Sequence, residues 1–462
     1  MDFRKERDSI GEKNVPVGVY YGVQSLRGNE NFRISGLNTN TEFIKNLALV
    51  KKACAITNAK VGELDKNYAD AIVKACDEVC DGQFIDQFII DPIQGGAGTS
   101  MNMNINEIIA NRANEILGFE KGKYYPVHPN DHVNMGQSTN DIIPTAASIT
   151  AYKLLNGCIE KVKILSQALE EKGLEFKDII KMGRTEMQDA VPISLGSEFS
   201  AFALAISRDV NRLDTVKDSF LEVNLGGTAV GTGITASKKY IQEVAKELSN
   251  LFGEEIYQAE NLIDATQNLD KYAEVSSQLK VCAVNISKIA GDLILMSSGP
   301  RTGFGEIKLP AKQNGSSIMP GKVNPVMPEV MKQIAFQIMG NDFTITMATQ
   351  SGQLELNAFY PIIMHNLYES IIILANGVET FVENCIKGIQ ANEKRCEDLV
   401  NGSIGIVTAL APVLGYEKAA YIAKKALKEA KYVKDVVVEE CDMEENQVIK
   451  MLNIKEMITV VS

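Results

Sequence analysis

Five long stretches of this chain place apolar residues at the three- and four-residue spacing of a helix, with little strand pattern between them. They are Asp141–Lys172, Pro192–Val223, Leu262–Ser298, Val326–Gln350 and Leu356–Ile389. Helices of this length exceed the usual globular size and need packing partners along much of their surface. We therefore predict a mainly all-α fold in which the five helices form an elongated bundle, extended by other subunits.

The regions before and after this bundle lack its long helical repeats of apolar residues. Residues 1–40 mix short β-branched and aromatic segments with turn residues, which predicts extended, irregular structure. Beyond Gln390 the helical runs shorten and the charge density rises. We expect three domains: a mostly helical N-terminal domain (1–140), the central long-helix bundle (141–390) and a small C-terminal helical domain (391–462).

Charge and composition exclude several classes of partner. The formal net charge is -12 and no basic stripe offsets it, so we expect no nucleic-acid partner. No apolar run reaches membrane-spanning length, and the charged N-terminus lacks the apolar core of a secretory signal, so we expect no membrane partner. The eight cysteines are scattered, which indicates reduced thiols, a cytoplasmic protein, and no metal or cofactor.

One polar loop separates the third and fourth long stretches. Gly315–Pro325 reads GSSIMPGKVNP, and its two glycines and two prolines exclude a regular helix or strand. Pro325 and Pro328 stand where the first turn of a following helix tolerates proline. The loop is thus predicted to lead into a helix N-terminus, which favours bound anions, although a glycine-rich surface turn also fits these residues.

Three further polar clusters interrupt the helical pattern. Gly98–Ser100 and Ser138–Asn140 offer hydroxyls, an amide and backbone donors beside predicted helix starts, and Gly183–Pro192 adds charges. Each cluster alone is more often an ordinary helix N-cap. Their occurrence in one chain with the Gly315–Pro325 loop favours a site that binds carboxylate and ammonium groups.

All eleven positions of Gly315–Pro325 are similar to the signature of the fumarase/aspartase superfamily. Gly95–Asn104, Asn130–Asp141 and Gly183–Pro192 also resemble the segments that converge, from three different subunits, in each active site of that superfamily. The resemblance implies a homotetramer built around a shared helix bundle, with active sites shared between three subunits.

Within the superfamily, three segments resemble the aspartase branch more than class II fumarase. They are Tyr21–Arg27, Val326–Val330 and Gly352–Asn357. Fumarases usually carry a histidine after Gly-Arg-Thr, where this chain has Glu186. A carboxylate there would repel the substrate's carboxylates but attract an ammonium. Some aspartases also have histidine at this position, so it does not decide alone.

The activity that the resemblance implies is reversible elimination of ammonia from L-aspartate to give fumarate. Class II fumarase is the main alternative, followed by the argininosuccinate and adenylosuccinate lyases. A protein of a different class, one that kept the scaffold and lost the chemistry, is a further alternative. The complete set of hydroxyls and charges in Gly315–Pro325 argues against it.

The resemblance also assigns roles to individual residues. Ser316 is the implied general base, which removes the Cβ proton and leaves an enediolate-like intermediate. The carboxylate that becomes the enediolate is expected to contact Thr99, Ser138, Thr139 and Ser317. The other carboxylate is expected to contact Thr185, Lys322 and Asn324. The ammonium is expected to contact Thr99, Asn140 and, as our own hypothesis, Glu186.

Two histidines deserve separate interpretation. His132 lies within the Asn130–Asp141 segment, where it could polarise a carboxylate, but a structural role with satisfied hydrogen bonds is the better prediction. His365 lies in an apolar helical run, so we expect a hydrogen bond within the core. Neither is predicted to be catalytic.

Overall fold

Helices form most of the structure. The computed structural model describes residues 2–441 and 443–452. Its first helices are α1 (Val23–Asn31), α2 (Thr41–Lys60), α3 (Lys66–Cys80) and α4 (Thr99–Ile116). They are followed by α5 (Thr139–Glu175), α6 (Leu195–Lys217), α7 (Lys238–Phe252), α8 (Asp264–Gln267), α9 (Asp270–Met296), α10 (Val326–Gln350) and α11 (Tyr360–Asn384). The last are α12 (Glu393–Gly402), α13 (Ala411–Leu414), α14 (Tyr416–Glu429), α15 (Val433–Cys441) and α16 (Glu445–Met451). The predicted all-α class is confirmed.

The strands are short and occur in pairs. Antiparallel pairs join β1 (Phe3–Arg7) to β2 (Glu12–Pro16) and β3 (Ile180–Thr185) to β4 (Gln188–Ser194). A parallel pair joins β5 (Glu222–Val223) to β6 (Tyr257–Gln258), and β7 (Ile307–Lys308) pairs antiparallel with β8 (Gln390–Ala391). These pairs connect and orient helices rather than form a layer of their own.

The described chain divides into two compact units, each assembled from separate stretches of sequence. The first unit contains the described residues of 1–159, 212–281 and 337–373. The second unit contains those of 160–211, 282–336 and 374–462. The three-domain division that the sequence suggests, with boundaries after residues 140 and 390, stays a prediction.

Each unit has its own apolar core. In the first unit Phe43, Leu47, Tyr240 and Tyr272 are fully buried. In the second, a cluster of buried aliphatic side chains joins Met182 of β3 to the C-terminal helices. Removing such side chains from water is the main favourable contribution to folding, so both cores hold the polar loops between their helices in fixed places.

Local sequence accounts for several helix starts. The Asn40 side chain accepts hydrogen bonds from the backbone N–H groups of Glu42 and Phe43 at the start of α2. Asp65 and Ser237 cap α3 and α7 in the same way. These side chains satisfy N–H groups that the first helical turn leaves without a partner.

The long helices agree with the sequence prediction in part. α10 has the predicted bounds, and predicted Asp141–Lys172 lies within α5. The prediction for Pro192–Val223 is wrong at both ends, because Gln188–Ser194 pairs with β3 as strand β4 and α6 spans only Leu195–Lys217. At the other end, Glu222–Val223 forms strand β5. The predicted Leu262–Ser298 helix is interrupted, since Asn268 adopts an extended conformation between α8 and α9.

The first forty residues are more ordered than predicted. They contain the β1–β2 hairpin and the helix α1. The start of α1 depends on a distant residue: the buried carboxylate of Glu107, on α4, accepts hydrogen bonds from the backbone N–H groups of Gly22, Gln24 and Ser25. Such a tertiary cap is not visible in the local sequence.

No single helix in the described residues is long and apolar enough to cross a membrane, although the bent pair Glu393–Gly402 and Ile404–Leu414 together meets those criteria of length and composition. Six of the eight cysteines are buried.

Candidate active site

The first candidate segment is the N-terminus of α4. Gly98 precedes the helix with a φ of +91°, and a Cβ at this position would lie 3.1 Å from the Ile143 side chain. Glycine is therefore required here on both conformational and steric grounds. It allows the chain to present Thr99, the first residue of α4, as an exposed side chain whose hydroxyl donates to the Gly96 carbonyl oxygen at 2.8 Å.

The second candidate segment, Ser138–Asn140, starts α5. The Asp141 carboxylate is fully buried and accepts hydrogen bonds from the N–H groups of Ser138 (2.9 Å), Gly226 and Thr228 (both 3.1 Å). Burial raises the pKa of Asp141 to about 6 even though the three N–H donors favour its charged form. The Asn140 side chain donates to the Ala229 carbonyl oxygen at 2.7 Å. These contacts fix the loop before α5 against residues 226–229.

A buried asparagine joins these two segments within the first unit. Asn102, on the first turn of α4, donates from Nδ2 to Thr139 Oγ1 at 3.3 Å. The structure therefore brings together the helix ends that carry Thr99 and Ser138–Asn140. Two N-terminal helix ends, each with a partial positive charge, form an environment suited to a carboxylate.

The third candidate segment differs from its predicted form. Gly183–Pro192 does not cap a helix but forms most of the β3–β4 hairpin, in the second unit. Glu186 and Met187, at its turn, have φ values of 52° and 64°. Residues other than glycine rarely adopt this left-handed region, and such strain is concentrated at functional positions. Thr185 and Glu186 are both exposed at the tip.

Buried charged residues anchor the base of the β3–β4 hairpin. The fully buried Glu306 accepts a hydrogen bond from the Arg184 guanidinium at 2.9 Å, and its other carboxylate oxygen lies 3.3 Å from Lys181 Nζ. Arg184 also stacks on the Phe304 ring at 4.2 Å. Because Glu306 directly precedes β7 and the Gly315–Pro325 loop follows it, this ion pair links the hairpin to the chain that enters that loop.

The Gly315–Pro325 loop has a defined base. The Gly315 N–H donates to the Lys322 carbonyl oxygen at 2.8 Å, and Asn324 Nδ2 donates to the Gly315 carbonyl oxygen at 2.8 Å. A Cβ on Gly315 would lie 2.6 Å from the Lys322 carbonyl oxygen, so only glycine fits. The loop ends where α10 begins at Val326, as predicted.

The Ser316 hydroxyl oxygen accepts two backbone hydrogen bonds. The donors are the backbone N–H groups of Ile318 (3.1 Å) and Met319 (2.9 Å). Two N–H donors aimed at one oxygen stabilise negative charge on it and so favour the deprotonated form of the serine. Only that form is a strong base. Ser317 and Lys322 are exposed, and within the described chain no carboxylate pairs with the Lys322 ammonium.

The ten predicted site residues thus fall into two groups. Four belong to the first unit and are linked through Asn102: Thr99, Ser138, Thr139 and Asn140. Six belong to the second unit, on the hairpin tip and the loop: Thr185, Glu186, Ser316, Ser317, Lys322 and Asn324. No group of three His, Cys, Asp or Glu side chains that could hold a metal ion is found in the described residues.

The histidines have different environments. His132 Nδ1 accepts a hydrogen bond from the His128 N–H at 2.9 Å, and burial lowers the pKa of His132, which agrees with a structural role. The core hydrogen bond expected for His365 is wrong for the described residues, in which this half-buried side chain has no such partner.

Sequence reasoning missed the residues that support the site, including Asn102, Asp141 and Glu306. One signal for Asn102 was available. α4 contains asparagines at positions 102, 104, 106, 111 and 114, and all five are buried. Buried amides need hydrogen-bond partners. Five asparagines in one helix therefore indicate a polar network.

Comparison with known proteins gives matches over most of the chain. Residues 11–340 match the family model described as lyase, and residues 406–459 match the model described as fumarase C C-terminus. The aspartate ammonia-lyase of Bacillus sp is 53% identical over 456 residues, which cover 99% of this chain and 97% of that protein. The aspartate ammonia-lyase of Escherichia coli (strain K12) is 46% identical over 441 residues, covering 95% and 92%.

Two solved structures are similar over nearly the whole chain. A fumarate lyase:delta crystallin from Brucella melitensis, bound to cobalt, has a TM-score of 0.96 at 47% identity and covers 99% of this chain and 100% of that one. Recombinant class II fumarase from Schistosoma mansoni has a TM-score of 0.94 at 35% identity, with 99% of each chain covered.

Proposed function

Because the chain belongs to the lyase family whose model matches its residues 11–340, we propose that it acts as an aspartate ammonia-lyase. This carbon–nitrogen lyase would eliminate ammonia reversibly from L-aspartate to give fumarate. The observation that carries the proposal is the pair of backbone N–H groups aimed at Ser316 Oγ, in a loop whose exposed Lys322 has no carboxylate partner among the described residues. That arrangement suits proton removal beside a carboxylate.

The first chemical step breaks a C–H bond of low acidity. Ser316, as its alkoxide, takes the Cβ proton and becomes a neutral hydroxyl, while the electron pair of the C–H bond moves onto the adjacent carboxylate, which becomes an enediolate. Stabilising that developing charge is the largest demand on the site. The hydroxyls of Thr99, Ser138, Thr139 and Ser317 and the N-terminal ends of α4 and α5 would meet it.

The second step expels the amine. The electron pair returns from the enediolate to form the Cα–Cβ double bond, and the Cα–N bond breaks to release ammonia. Lys322, Asn324 and Thr185 would hold the other carboxylate during both steps. Lys322 suits this role because it has no carboxylate partner in the described chain. An ammonium can leave as neutral ammonia, so no strong general acid is assigned.

The ammonium requires a negative or polar neighbour. Asn140 and Thr99 supply oxygen atoms, and Glu186 supplies the charge in this proposal. The exposure of Glu186 at the tip of a hairpin that is anchored by Arg184 and Glu306 supports its use as a substrate contact. A carboxylate there favours an amino substrate over a hydroxy acid, because only the former carries a positive charge.

The site is completed by other copies of the chain in this proposal. The long helices expose many large apolar side chains, up to 69% for Phe343. They include Ile164, Leu174, Leu204, Val284, Leu295, Phe336, Phe343 and Met347. Apolar surface of this extent on helices marks an interaction site. It supports association between copies of the chain. In this proposal the copies form a cytoplasmic homotetramer in which three subunits contribute to each active site and cover residues that are exposed in one chain.

Class II fumarase is the second candidate. It is favoured by the likeness to the Schistosoma mansoni enzyme, which differs little in backbone. Water would then be eliminated from L-malate by the same proton removal. Glu186 gives no advantage in that reaction, because the leaving hydroxyl is neutral.

The proposal is tested by product analysis. Purified protein is added to L-aspartate, fumarate is followed by the ultraviolet absorbance of its conjugated double bond, and ammonia is measured in the same samples. We expect fumarate and ammonia in equal amounts. Failure to form fumarate would refute the proposed function, and fumarate without ammonia would exclude a carbon–nitrogen elimination.

A further inference from the structure

A completely buried lysine contacts the loop that leads to Ser138–Asn140. Lys51, on α2, has no exposed surface. Its Nζ donates to Asn134 Oδ1 at 2.9 Å and to Gln137 Oε1 at 2.8 Å. Both partners are amides, and within the described residues no carboxylate lies within ion-pair distance of this ammonium.

Stability does not explain why a lysine occupies this place. Lysine is almost never fully buried without a charged partner, because removing an ammonium from water is costly. The same cost lowers the pKa of Lys51 to about 7. An apolar side chain of similar length would avoid that cost, at the smaller cost of removing the lysine donor from the buried Gln137 Oε1. A functional role is the alternative.

The contacts of Asn134 lead from Lys51 to the candidate site. Asn134 Oδ1 also accepts hydrogen bonds from Asn102 Nδ2 at 3.1 Å and Asn106 Nδ2 at 3.2 Å, both on α4. Asn102 Nδ2 reaches Thr139 Oγ1 at 3.3 Å. One continuous path therefore runs from Lys51 through Asn134 and Asn102 to Thr139, and it joins α2, α4 and the start of α5.

We propose that Lys51 is a positioning residue for the elimination reaction. Through Asn134 it holds the N-terminal ends of α4 and α5 at the spacing at which Thr99 and Ser138–Asn140 bind one substrate carboxylate. This inference rests on the proposed function. It assigns Lys51 no contact with the substrate, and its effect on the reaction passes through the two helix ends.

The test compares two adjacent lysines. Lys51→Met removes the ammonium and its two hydrogen bonds with little change in volume. Lys52→Met is the matched control, because Lys52 pairs with Asp77 of α3 at 2.5 Å, away from Asn134, and keeps 20% of its side chain exposed. Both variants are first compared with wild type for helix content and oligomer size.

Steady-state kinetics then give kcat and KM for L-aspartate and the inhibition constant of succinate. We expect Lys51→Met to lower kcat/KM by about 100-fold, the loss typical of a small misplacement of binding groups, and to raise KM and the inhibition constant together. Lys52→Met should behave like wild type. Wild-type constants in a folded Lys51→Met would overturn the inference.

A double-mutant cycle tests the path itself. If Lys51 acts through Asn134, Lys51→Met combined with Asn134→Leu should be no worse than the more damaging single variant, whereas independent effects would multiply. Multiplied losses would overturn the inference. Should Lys51→Met fail to fold, Asn134→Ala replaces it, and unchanged constants in that variant would overturn the inference equally.

The activity of the wild-type protein distinguishes failure of the proposed function from failure of the positioning role. Absence of fumarate formation from L-aspartate by wild type would refute the proposed function, and the positioning role with it. An active wild type together with an unaffected Lys51→Met would refute the positioning role alone.

Discussion

At the scale of single residues, the proposed reaction depends on how a serine becomes a base. Ser316 Oγ receives two backbone N–H donors from its own loop, so its environment is determined by the path of the chain rather than by another side chain. The residue type was predictable from the sequence of the loop. The two donors were not, because they depend on the turn that the backbone makes after Gly315.

Ser316→Ala removes the proposed base. We expect kcat for L-aspartate to fall by at least about 100-fold, since general bases contribute about 100- to 10,000-fold. Binding of succinate should be nearly unchanged, because the carboxylate contacts remain. Steady-state kinetics and succinate titration check both points. A variant with a near-wild-type rate would remove Ser316 from the mechanism.

Glu186→Gln tests the proposed contact with the ammonium. The substitution keeps the size of the side chain and removes its charge. We expect KM for L-aspartate to rise about fivefold, the factor that corresponds to about 1 kcal/mol for an exposed charge pair. The inhibition constant of succinate, which has no amino group, should change less. Equal changes for both ligands would refute this role of Glu186.

Lys51 also has a consequence for stability. Burial lowers its pKa from 10.5 to about 7 in the folded chain, so between these pH values the unfolded chain binds more protons at this site. The free energy of unfolding should therefore rise with pH across this window as far as Lys51 contributes.

Lys51→Met removes that contribution. We expect the melting temperature of the variant, relative to wild type, to be highest near pH 7 and to decline as pH approaches the ordinary lysine pKa. Thermal unfolding of both proteins at several pH values in this window measures the difference. A difference that does not vary with pH would contradict the assigned burial of the charge.

At the scale of elements, local pattern predicted the helices and missed the hairpin. α10 was predicted with its observed bounds because Pro325 and Pro328 mark its start and an apolar repeat continues to its end. Residues 192–194, the end of β4, were assigned to a helix, because the pairing of β4 with β3 and the ion pair of Arg184 with Glu306 join residues that no local pattern connects. α1 was missed for the same reason, since Glu107 caps it from α4.

Glu306→Gln tests the anchor of the hairpin. It leaves the buried Lys181 and the half-buried Arg184 without this carboxylate, and breaking a buried ion pair costs roughly 3 kcal/mol or more. We expect the free energy of unfolding in urea to fall by about that amount. Glu383→Gln is the control, because the Glu383–Lys387 pair is exposed and should change the free energy by less than about 1 kcal/mol. Equal effects would contradict the anchoring role.

At the scale of the whole molecule, one chain leaves much of the proposed site open to solvent. Thr99, Thr185, Glu186, Ser317 and Lys322 are exposed. The long helices expose large apolar side chains that other copies could cover. The length of the helices predicted a need for partners, but the number and arrangement of subunits cannot be read from helical periodicity.

Subunit mixing tests the shared active site. Ser316→Ala and a second variant, Ser138→Ala with Thr139→Val, should each be inactive. If Ser316 and Ser138 of one site come from different subunits, mixed oligomers contain sites in which all three positions are native. We expect the mixture, after dissociation and reassembly, to regain activity that neither variant has. Activity no greater than that of the separately treated variants would contradict shared sites.

The central claim is that this lyase removes an amine rather than water. The most direct test is the ratio of kcat/KM for L-aspartate to kcat/KM for L-malate, with fumarate absorbance as the common signal. We expect the fumarate absorbance to rise with L-aspartate and to stay at the background level with L-malate. Fumarate formation from L-malate in preference to L-aspartate would contradict the claim and would identify a fumarase in which Glu186 has no role in recognising an ammonium.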